Sequence, residues 1–315
     1  MKLNDLTIVV CCNSQDFFLA RICIASIRYY YPEIPIELVK DYGKGSFSSN
    51  NLEKYFNVKN INLGVKKMGW SAAKFLYLYK MPKGKKVLLL DADIAFVGPF
   101  LERIIREIET DDYVVSIDKE SNPYSDFVTN TYFVTKNIES AYPDYKFPGY
   151  LFNAGAVFVT VGAIPKEILD EFFDETKYPF WKNFYLFSLV DQSVYNYLLP
   201  TLASKNQLKL GTQNFMLWSN SEIAKALNLD NIKSGTLKTG LIHWAGEPKS
   251  PSLTGMSRKD ILMFFQDYYY KRIPLPWINK TKDKVVSDFL VWSHTFKRKA
   301  SAFTIKKALN KINNK

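Results

Sequence analysis

The chain has 315 residues, of which 47% are hydrophobic and 23% are charged, and this balance excludes an intrinsically disordered protein. The net charge of +11 is concentrated near the C-terminus, because residues 271–315 contain twelve Lys and Arg residues against two Asp residues. The rest of the chain carries a net charge of only +1. A nucleic-acid-binding fold needs a basic face on its main domain, so this distribution argues against nucleic acid as a partner.

Cysteine usage and the first residues indicate the compartment. The cysteines Cys11, Cys12 and Cys23 match neither a metal-binding spacing nor a disulfide framework, which predicts a reducing environment. The apolar run at residues 6–10 is too short for a signal peptide or a membrane span. We therefore expect a cytoplasmic protein.

Strands and helices are predicted to alternate along about the first hundred residues. Apolar runs predict buried strands, and apolar residues at helical spacing predict the helices between them. This alternation predicts an α/β fold with a mixed, mostly parallel central sheet flanked by helices. The strands are predicted at 7–12, 35–39, 58–63 and 87–90, and the helices from a cap at 13–14 to about 30, from 71 to about 80 and from 101 to 109.

The chain beyond these elements contains a segment of different character. Residues 118–148 are polar and rich in Asn, Ser, Tyr and Pro, with one strand-like patch at 133–135. Long irregular segments in compact domains are usually functional or disordered, so we predict an inserted lid or acceptor-binding segment. Further strands are predicted at 113–117, 150–160 and 239–243, and further helices at 166–175 and 193–199.

Two acidic residues, Asp91 and Asp93, follow the most apolar of these strands. Side chains alternate along a strand, so the two carboxylates are predicted to point to the same side. Placed together at a buried strand end, they repel each other and lose hydration, and a divalent cation would remove both problems. Oxygen ligands suit Mg²⁺ or Mn²⁺. The alternative is that Asp91 ends the strand and Asp93 opens a turn.

Taken in order, these features resemble glycosyltransferase family eight, the GT-A-fold family of glycogenin and of bacterial lipopolysaccharide galactosyl- and glucosyltransferases. The resemblance covers most of residues 6–250. Two departures concern the acceptor: Ser250-Pro251 stands where the family usually has Pro-Trp, and the segment before Asn153 is longer than in glycogenin-like members. The matching motifs are Asp91-Ala92-Asp93, Phe152-Asn153-Ala154-Gly155, Asp191-Gln192 and the set His243, Gly246 and Lys249, with Asn13 ending the first strand and Lys74 on the helix before the acid pair.

The resemblance implies a retaining hexosyltransferase that takes its sugar from a nucleotide sugar, a UDP-hexose, and that binds Mn²⁺ or Mg²⁺. It places Asp191 and Gln192 near the anomeric carbon as the catalytic pair. It leaves open whether an enzyme carboxylate attacks the anomeric carbon or the acceptor enters on the same face as the leaving group. From position alone, Asp191 is equally a helix N-cap. The implied nucleotide-sugar contacts are Asn13, Lys74, Asp91, Ala92, Asp93, Asn153, Ala154, Gly155, His243, Gly246 and Lys249.

The chemistry of glycosyl transfer supports the same set. A divalent ion neutralises the charge that develops on a departing diphosphate, and two carboxylates with one imidazole form a suitable ligand set for Mn²⁺. We therefore assign the metal to Asp91, Asp93 and His243, with a structural histidine as the alternative. The alternative to a nucleotide-sugar contact for Lys74 is a solvated lysine on the surface of its helix. Phe17 is a candidate for stacking on the nucleotide base or, alternatively, for packing in the core.

The C-terminal residues combine apolar and basic side chains. An apolar aromatic face beside a basic face is typical of a helix that lies in a membrane interface. We therefore divide the chain into a GT-A domain, 1–275, and a tail, 276–315. We expect the tail to bind the anionic inner surface of a membrane and so to bring the enzyme to a glycan or lipid-linked glycan. The alternative is that the apolar face docks on the enzyme's own core. The apolar positions are Val285, Phe289, Trp292, Phe296, Ala300 and Phe303.

Two other functions are compatible with part of this pattern. A haloacid-dehalogenase-like magnesium phosphatase also has an aspartate-x-aspartate after a strand, but near its N-terminus and with a different following sequence. A non-catalytic module that binds a nucleotide sugar or a glycan could share the fold. Hydrolysis of a sugar nucleotide in the presence of Mn²⁺ separates the transferase from both.

Overall fold

The computed structural model describes residues 1–69, 71–119, 122–237, 239–283 and 285. Within them, seven strands form a central sheet and three form a small second sheet. The strands of the central sheet are β1 (Leu6–Asn13), β2 (Ile36–Asp41), β3 (Val58–Ile61), β4 (Lys86–Asp91), β6 (Tyr113–Lys119), β7 (Leu151–Thr160) and β8 (Leu210–Gln213). The small sheet contains β5 (Ile94–Phe96), β9 (Met216–Trp218) and β10 (Leu241–His243).

The central sheet is mostly parallel. Its strand order is β3-β2-β1-β4-β7-β6-β8. β1 pairs in parallel with β2 and β4, β2 with β3, and β6 with β8, whereas β7 is antiparallel to both of its neighbours. This arrangement confirms the predicted α/β fold class, and it brings the C-terminal ends of β1, β2 and β4 to one edge, where ligands bind in such sheets.

Helices cover both faces of the sheet, which explains why its central strands are apolar without interruption. Alternate residues of one strand enter different cores: Ile8 and Val10 pack in one hydrophobic cluster, and Val9 packs in the other. The first cluster includes residues of α1 and α11, and the second includes residues of α3 and α8. The helices are α1 (Phe17–Tyr30), α2 (Asn50–Phe56), α3 (Ala72–Lys80), α4 (Leu101–Thr110), α5 (Asp126–Thr131), α6 (Thr135–Ala141), α7 (Lys166–Leu169), α8 (Val190–Ser204), α9 (Glu222–Ala226), α10 (Leu229–Ser234) and α11 (Lys259–Arg272).

Three local predictions are wrong. The patch at 133–135 forms no strand, because Phe133 and Val134 lie between α5 and α6 and Thr135 begins α6; Phe133 is fully buried there. The helix predicted at 166–175 ends at Leu169, and the aromatic residues after it are buried in irregular structure. Asp191 is not an N-cap, because Leu189 holds that position and Asp191 lies in the first turn of α8.

The beginning of the predicted tail packs on the domain. Residues 276–283 are helical, and the Asp283 carboxylate accepts hydrogen bonds from Arg21 of α1 and from the Tyr270 hydroxyl of α11. The predicted amphipathic stripe lies outside the described residues, apart from the exposed Val285. In the part of the chain that the structure describes, no helix is both long enough and apolar enough to span a bilayer.

Candidate active site

The small sheet builds the centre of the candidate site. β10 is the middle strand of the small sheet. It pairs antiparallel with β5, where His243 lies opposite Ile94, and parallel with β9, where His243 lies opposite Trp218. Asp93 immediately precedes β5, and its carbonyl accepts a 2.9 Å hydrogen bond from the amide of Trp244. The turn from β4 into β5 therefore carries the two acids to the end of β10.

Asp91, Asp93 and His243 converge, as the sequence predicts. His243 Nε2 lies 3.2 Å from Asp93 Oδ1 and 3.9 Å from Asp91 Oδ2, and one ligand atom from each residue lies within 4.8 Å of the others. Asp93 and His243 are 5% and 2% exposed, whereas the Asp91 side chain is 31% exposed. Two carboxylates and one imidazole on the wall of a cleft fit the oxygen and nitrogen ligands that Mn²⁺ or Mg²⁺ takes.

Lys74 lies beneath the acid pair. Its side chain is 1% exposed, and its ammonium is 2.6 Å from Asp91 Oδ1 and 3.2 Å from Asp191 Oδ2. It also donates a 2.8 Å hydrogen bond to the carbonyl of Ala154. Burial lowers the pKa of Lys74, but Asp91 and Asp191 raise it more, so the net pKa is above its usual range. Burial raises the pKa of Asp191 to about 6, although Lys74 opposes this shift.

Lys249 binds the other acid from the opposite side. Its ammonium is 3.0 Å from Asp93 Oδ2 and 3.4 Å from Asp16 Oδ1, and its side chain is 34% exposed. Burial raises the pKa of Asp93, but His243 and Lys249 outweigh this effect and hold the pKa below its usual range. Each acid of the pair is therefore matched with a lysine, Asp91 with a buried one and Asp93 with an accessible one.

A cavity of about 220 Å³ opens on one side of the acid pair. Asn13 at the end of β1 lines it, and the Asn13 amide donates a 2.9 Å hydrogen bond to Asp16. Asp41 at the end of β2 accepts hydrogen bonds from the amides of Gly43, Met68 and Gly69 at 2.8, 3.0 and 3.2 Å, and so fixes the loop before α3. Ala92, Gly246 and Lys249 complete the wall.

A second cavity of about 700 Å³ lies on the other side and shares Asp91, His243, Ala245 and Gly246 with the first. Asn153 and Gly155 line it where the register of β6 against β7 shifts. Gln192 Oε1 accepts from Asn153 Nδ2 at 2.9 Å and from the amide of Ala154 at 3.2 Å, and Gln192 Nε2 donates to the carbonyl of Thr131 at 3.2 Å. Asp191 and Gln192 both line this cavity.

Gly155 lies directly against the imidazole. A Cβ at this position would come within 2.9 Å of His243 Nδ1 and 2.6 Å of Asn153 Oδ1, so a side chain has no room. Phe17, by contrast, lines neither cavity. Its ring packs on Phe47 with centroids 4.6 Å apart, and the guanidinium of Arg21 lies 5.5 Å from its centroid.

Sequence reasoning did not identify Asp16, Asp41, Asp118 or Trp218. Asp16 is the N-cap residue of α1, beyond the cap predicted at 13–14, and Asp41 ends β2 just beyond its predicted limit. Their positions at strand and helix ends on the ligand-binding edge were the available signal. Asp118 directly follows the strand predicted at 113–117, so the same signal existed for it, whereas Trp218 lies in a short strand that was not predicted.

No family model matches the sequence, and no curated protein sequence matches it. Solved structures are similar at low identity. The bifunctional glycosyltransferase WbbM, in its apo form, has a TM-score of 0.54 at 14% identity, over 89% of this chain and 51% of that chain. An active-site mutant of LgtC has a TM-score of 0.49 at 15% identity, over 87% of this chain and 99% of that one.

The apo glycosyltransferase GlyE from Streptococcus pneumoniae TIGR4 has a TM-score of 0.46 at 14% identity, over 84% of this chain and 59% of that chain. This chain thus spans between half and three fifths of the length of WbbM and GlyE. The likeness to WbbM shows the architecture, and the chain has the GT-A glycosyltransferase fold.

Proposed function

We propose that this protein is a metal-dependent hexosyltransferase that moves a hexose from a nucleotide sugar, a UDP-hexose, to a glycan or a lipid-linked glycan with retention of configuration. The observation that carries the proposal is the convergence of Asp91, Asp93 and His243 on a wall between two cavities of different chemistry. A transferase must hold a charged nucleotide and a neutral sugar side by side, and this arrangement offers one compartment for each.

The smaller cavity is suited to the nucleoside diphosphate. Asp91, Asp93 and His243 would hold Mn²⁺ or Mg²⁺, which when bound supplies a Lewis acid that neutralises charge on the departing diphosphate. Lys249 brings a further positive charge to the rim of the cavity. Gly246, with φ +75, allows the loop after β10 to take a left-handed turn, and nothing lies within 4 Å of where its Cβ would be, so phosphate oxygens could approach its backbone.

The larger cavity is suited to the transferred sugar and the acceptor. Asn153 and Gln192 present amides, which match the hydroxyl groups of a hexose because they both donate and accept hydrogen bonds. The Asp191 carboxylate is fixed by Lys74 next to Asp91, a suitable position for contact with the donor sugar or with positive charge that develops on it. The basic, aromatic sequence of the tail is the reason for including lipid-linked glycans at an anionic membrane surface among the acceptors.

The test is a screen of nucleotide sugars by thermal shift, with and without Mn²⁺, followed by measurement of nucleotide release. We expect a UDP-hexose to raise the melting temperature only with the cation, because a ligand that binds the native state stabilises it by mass action. Mn²⁺-dependent release of UDP, abolished by EDTA, is the expected activity.

Two outcomes would replace the proposal. A nucleotide sugar that binds with Mn²⁺ and is never turned over, with any of a panel of sugar and glycolipid acceptors, would indicate a non-catalytic binding module. Release of inorganic phosphate from a simple phosphomonoester with Mg²⁺, without turnover of a nucleotide sugar, would indicate a phosphatase.

A further inference from the structure

One of the two ring nitrogens of His243 has no hydrogen bond to hold the ring in place. Its Nε2 faces Asp91 and Asp93, whereas Nδ1 is buried without a hydrogen-bond partner among the described residues. A metal-binding histidine usually donates its second ring N–H to a carboxylate, a carbonyl or water, and this bond sets the rotation of the ring. Another contact must therefore perform this task in the present site.

The indole of Trp218 provides that contact. Trp218 and His243 are paired residues on the adjacent parallel strands β9 and β10, so their side chains lie on the same face of the small sheet. The two rings are stacked, with centroids 5.5 Å apart and an interplanar angle of 12°. The backbone of Gly155 lies so close to Cε1 and Nδ1 that it leaves no room for a Cβ. The imidazole is thus confined by an aromatic face and by a glycine.

The indole is itself held in place. Trp218 Nε1 donates a hydrogen bond to Asp118 Oδ1, and the hydroxyl of the fully buried Tyr132 donates to Asp118 Oδ2 at 2.6 Å. Asp118 lies where the pairing of β6 with β7 changes register, between Ile117 and Lys119. Such irregularities re-aim side chains and are frequent next to functional sites. Both carboxylate oxygens of Asp118 are therefore engaged, and one of them fixes the plane of the indole.

We propose that Trp218, held by Asp118, is the positioning residue that keeps His243 Nε2 directed at the cation site. The inference rests on the proposed function, because it concerns the cation that a transferase would bind at Asp91, Asp93 and His243. Removal of the indole frees the imidazole to rotate away from the acids, so the cation loses one ligand, although no residue that binds it has been changed.

The experiment measures the affinity for Mn²⁺ itself, from the electron paramagnetic resonance signal of free Mn²⁺ during titration of the full chain in the presence of UDP. We expect Trp218→Ala to weaken Mn²⁺ binding by about 10- to 100-fold, the range typical for loss of a group that orients a metal ligand. Trp218→Phe should weaken it less, because a phenyl ring can still stack but cannot donate to Asp118. The matched control is Trp277→Ala, which removes an exposed indole that lines neither cavity and should leave the affinity within about twofold, since it orients no metal ligand.

A double-mutant cycle separates positioning from general damage. In a His243→Ala background, Trp218→Ala should weaken Mn²⁺ binding by less than about twofold, because the ligand that it positions is already absent. The same loss in both backgrounds would show a merely structural effect and would overturn the inference. If Trp218→Ala does not fold, Trp218→Phe and Asp118→Ala carry the test, and Asp118→Ala should weaken binding because it removes the acceptor that holds the Trp218 indole.

The result for the unmodified chain distinguishes the two levels of the argument. If it binds no Mn²⁺ with UDP present, the cation site of the proposed function fails, and the positioning role fails with it. If it binds Mn²⁺ and the Trp218 and Asp118 variants bind equally well, only the positioning role is wrong and the proposed function stands.

Discussion

The two cavities beside the acid pair differ in chemistry more than in position. The smaller one carries charge, with Asp16, Asp41 and Lys249 on its walls. The larger one has Asp91, Asp118 and Asp191 on its walls but, among the residues that the structure describes, no lysine or arginine, and amides, hydroxyls and aromatic rings supply much of the rest, among them Asn130, Asn153, Gln192, Trp218 and Asn220. Charged groups at hydrogen-bond distance suit phosphates and cations, whereas neutral amides and aromatic faces suit a sugar. Under the proposed function, we expect donor recognition to be divided, with the diphosphate on one side of the acid pair and the hexose on the other.

The two lysines show the same division. Lys74 is fully enclosed and holds Asp91, Asp191 and the backbone of β7 together, while Lys249 reaches Asp93 from a partly exposed position on the rim. The buried ammonium of Lys74, with its three partners, maintains the site. The partly exposed ammonium of Lys249 is free to exchange a carboxylate for a ligand. The following predictions test this division, from the largest expected effect to the smallest.

Asp93→Asn should reduce Mn²⁺-dependent release of UDP by at least about 100-fold, because the amide keeps the shape of the side chain and loses the charge that would hold the cation. Initial rates and melting temperatures are compared with those of the parent. The control is Asp170→Asn, since Asp170 accepts a hydrogen bond from Tyr79 and lines neither cavity. Undiminished activity of Asp93→Asn would remove Asp93 from the site.

Lys74→Met should lower the free energy of unfolding by about 3–5 kcal/mol, because it leaves two carboxylates without their buried partner. Lys249→Met should lower it by about 1 kcal/mol or less, because its ion pairs are partly solvated, and should chiefly weaken binding of UDP. Urea denaturation and UDP titration of both variants test the contrast. Equal losses of stability in the two variants would contradict the assignment of Lys74 as the structural cation.

The sequence was most informative at Asp91, Asp93 and His243. Asp91 and Asp93 follow an apolar strand, so the local pattern selected them, whereas the resemblance to glycosyltransferase family eight selected His243, Gly246 and Lys249. The central strands were equally clear, because a strand buried on both faces is apolar throughout.

The larger cavity was poorly predicted for a physical reason. Trp218 faces His243 because β9 and β10 pair in parallel, and Asp118 reaches Trp218 because β6 changes register against β7. Both contacts depend on pairings between segments that are distant in sequence, and short strands such as β9 give almost no periodic signal. The roles of Tyr132 and Phe133 were likewise hidden, since aromatic residues buried between two short helices look like a strand in sequence.

Gln192→Ala should reduce the turnover number of transfer by about 10-fold, because Gln192 joins Asn153, Ala154 and Thr131 around the larger cavity. The dissociation constant for UDP should stay within about twofold, because this residue does not line the smaller cavity. Gln213→Ala is the matched control, since the Gln213 amide donates a hydrogen bond to Glu107 and lines neither cavity. A large loss of UDP affinity in Gln192→Ala would show that the two cavities do not divide the donor as proposed.

Truncation after Val285 should leave the melting temperature and the release of UDP unchanged and should abolish co-sedimentation with anionic vesicles. The deleted residues 286–315 contain seven Lys and Arg residues, so binding of the full chain should weaken as salt screens the charge. Ending the chain here retains Asp283, which binds Arg21 and Tyr270. Equal sedimentation of both forms would exclude a membrane role for the deleted residues, and a lowered melting temperature would favour a helix docked on the core.

The most direct test of the central claim is a crystal structure with Mn²⁺ and UDP, in which the anomalous signal of the metal locates the cation independently of the protein. We predict a single strong peak in contact with Asp91, Asp93 and His243, with the diphosphate in the smaller cavity and the larger cavity free for the sugar. A cation bound away from these three residues, or UDP bound in the larger cavity, would contradict the proposed division of the site.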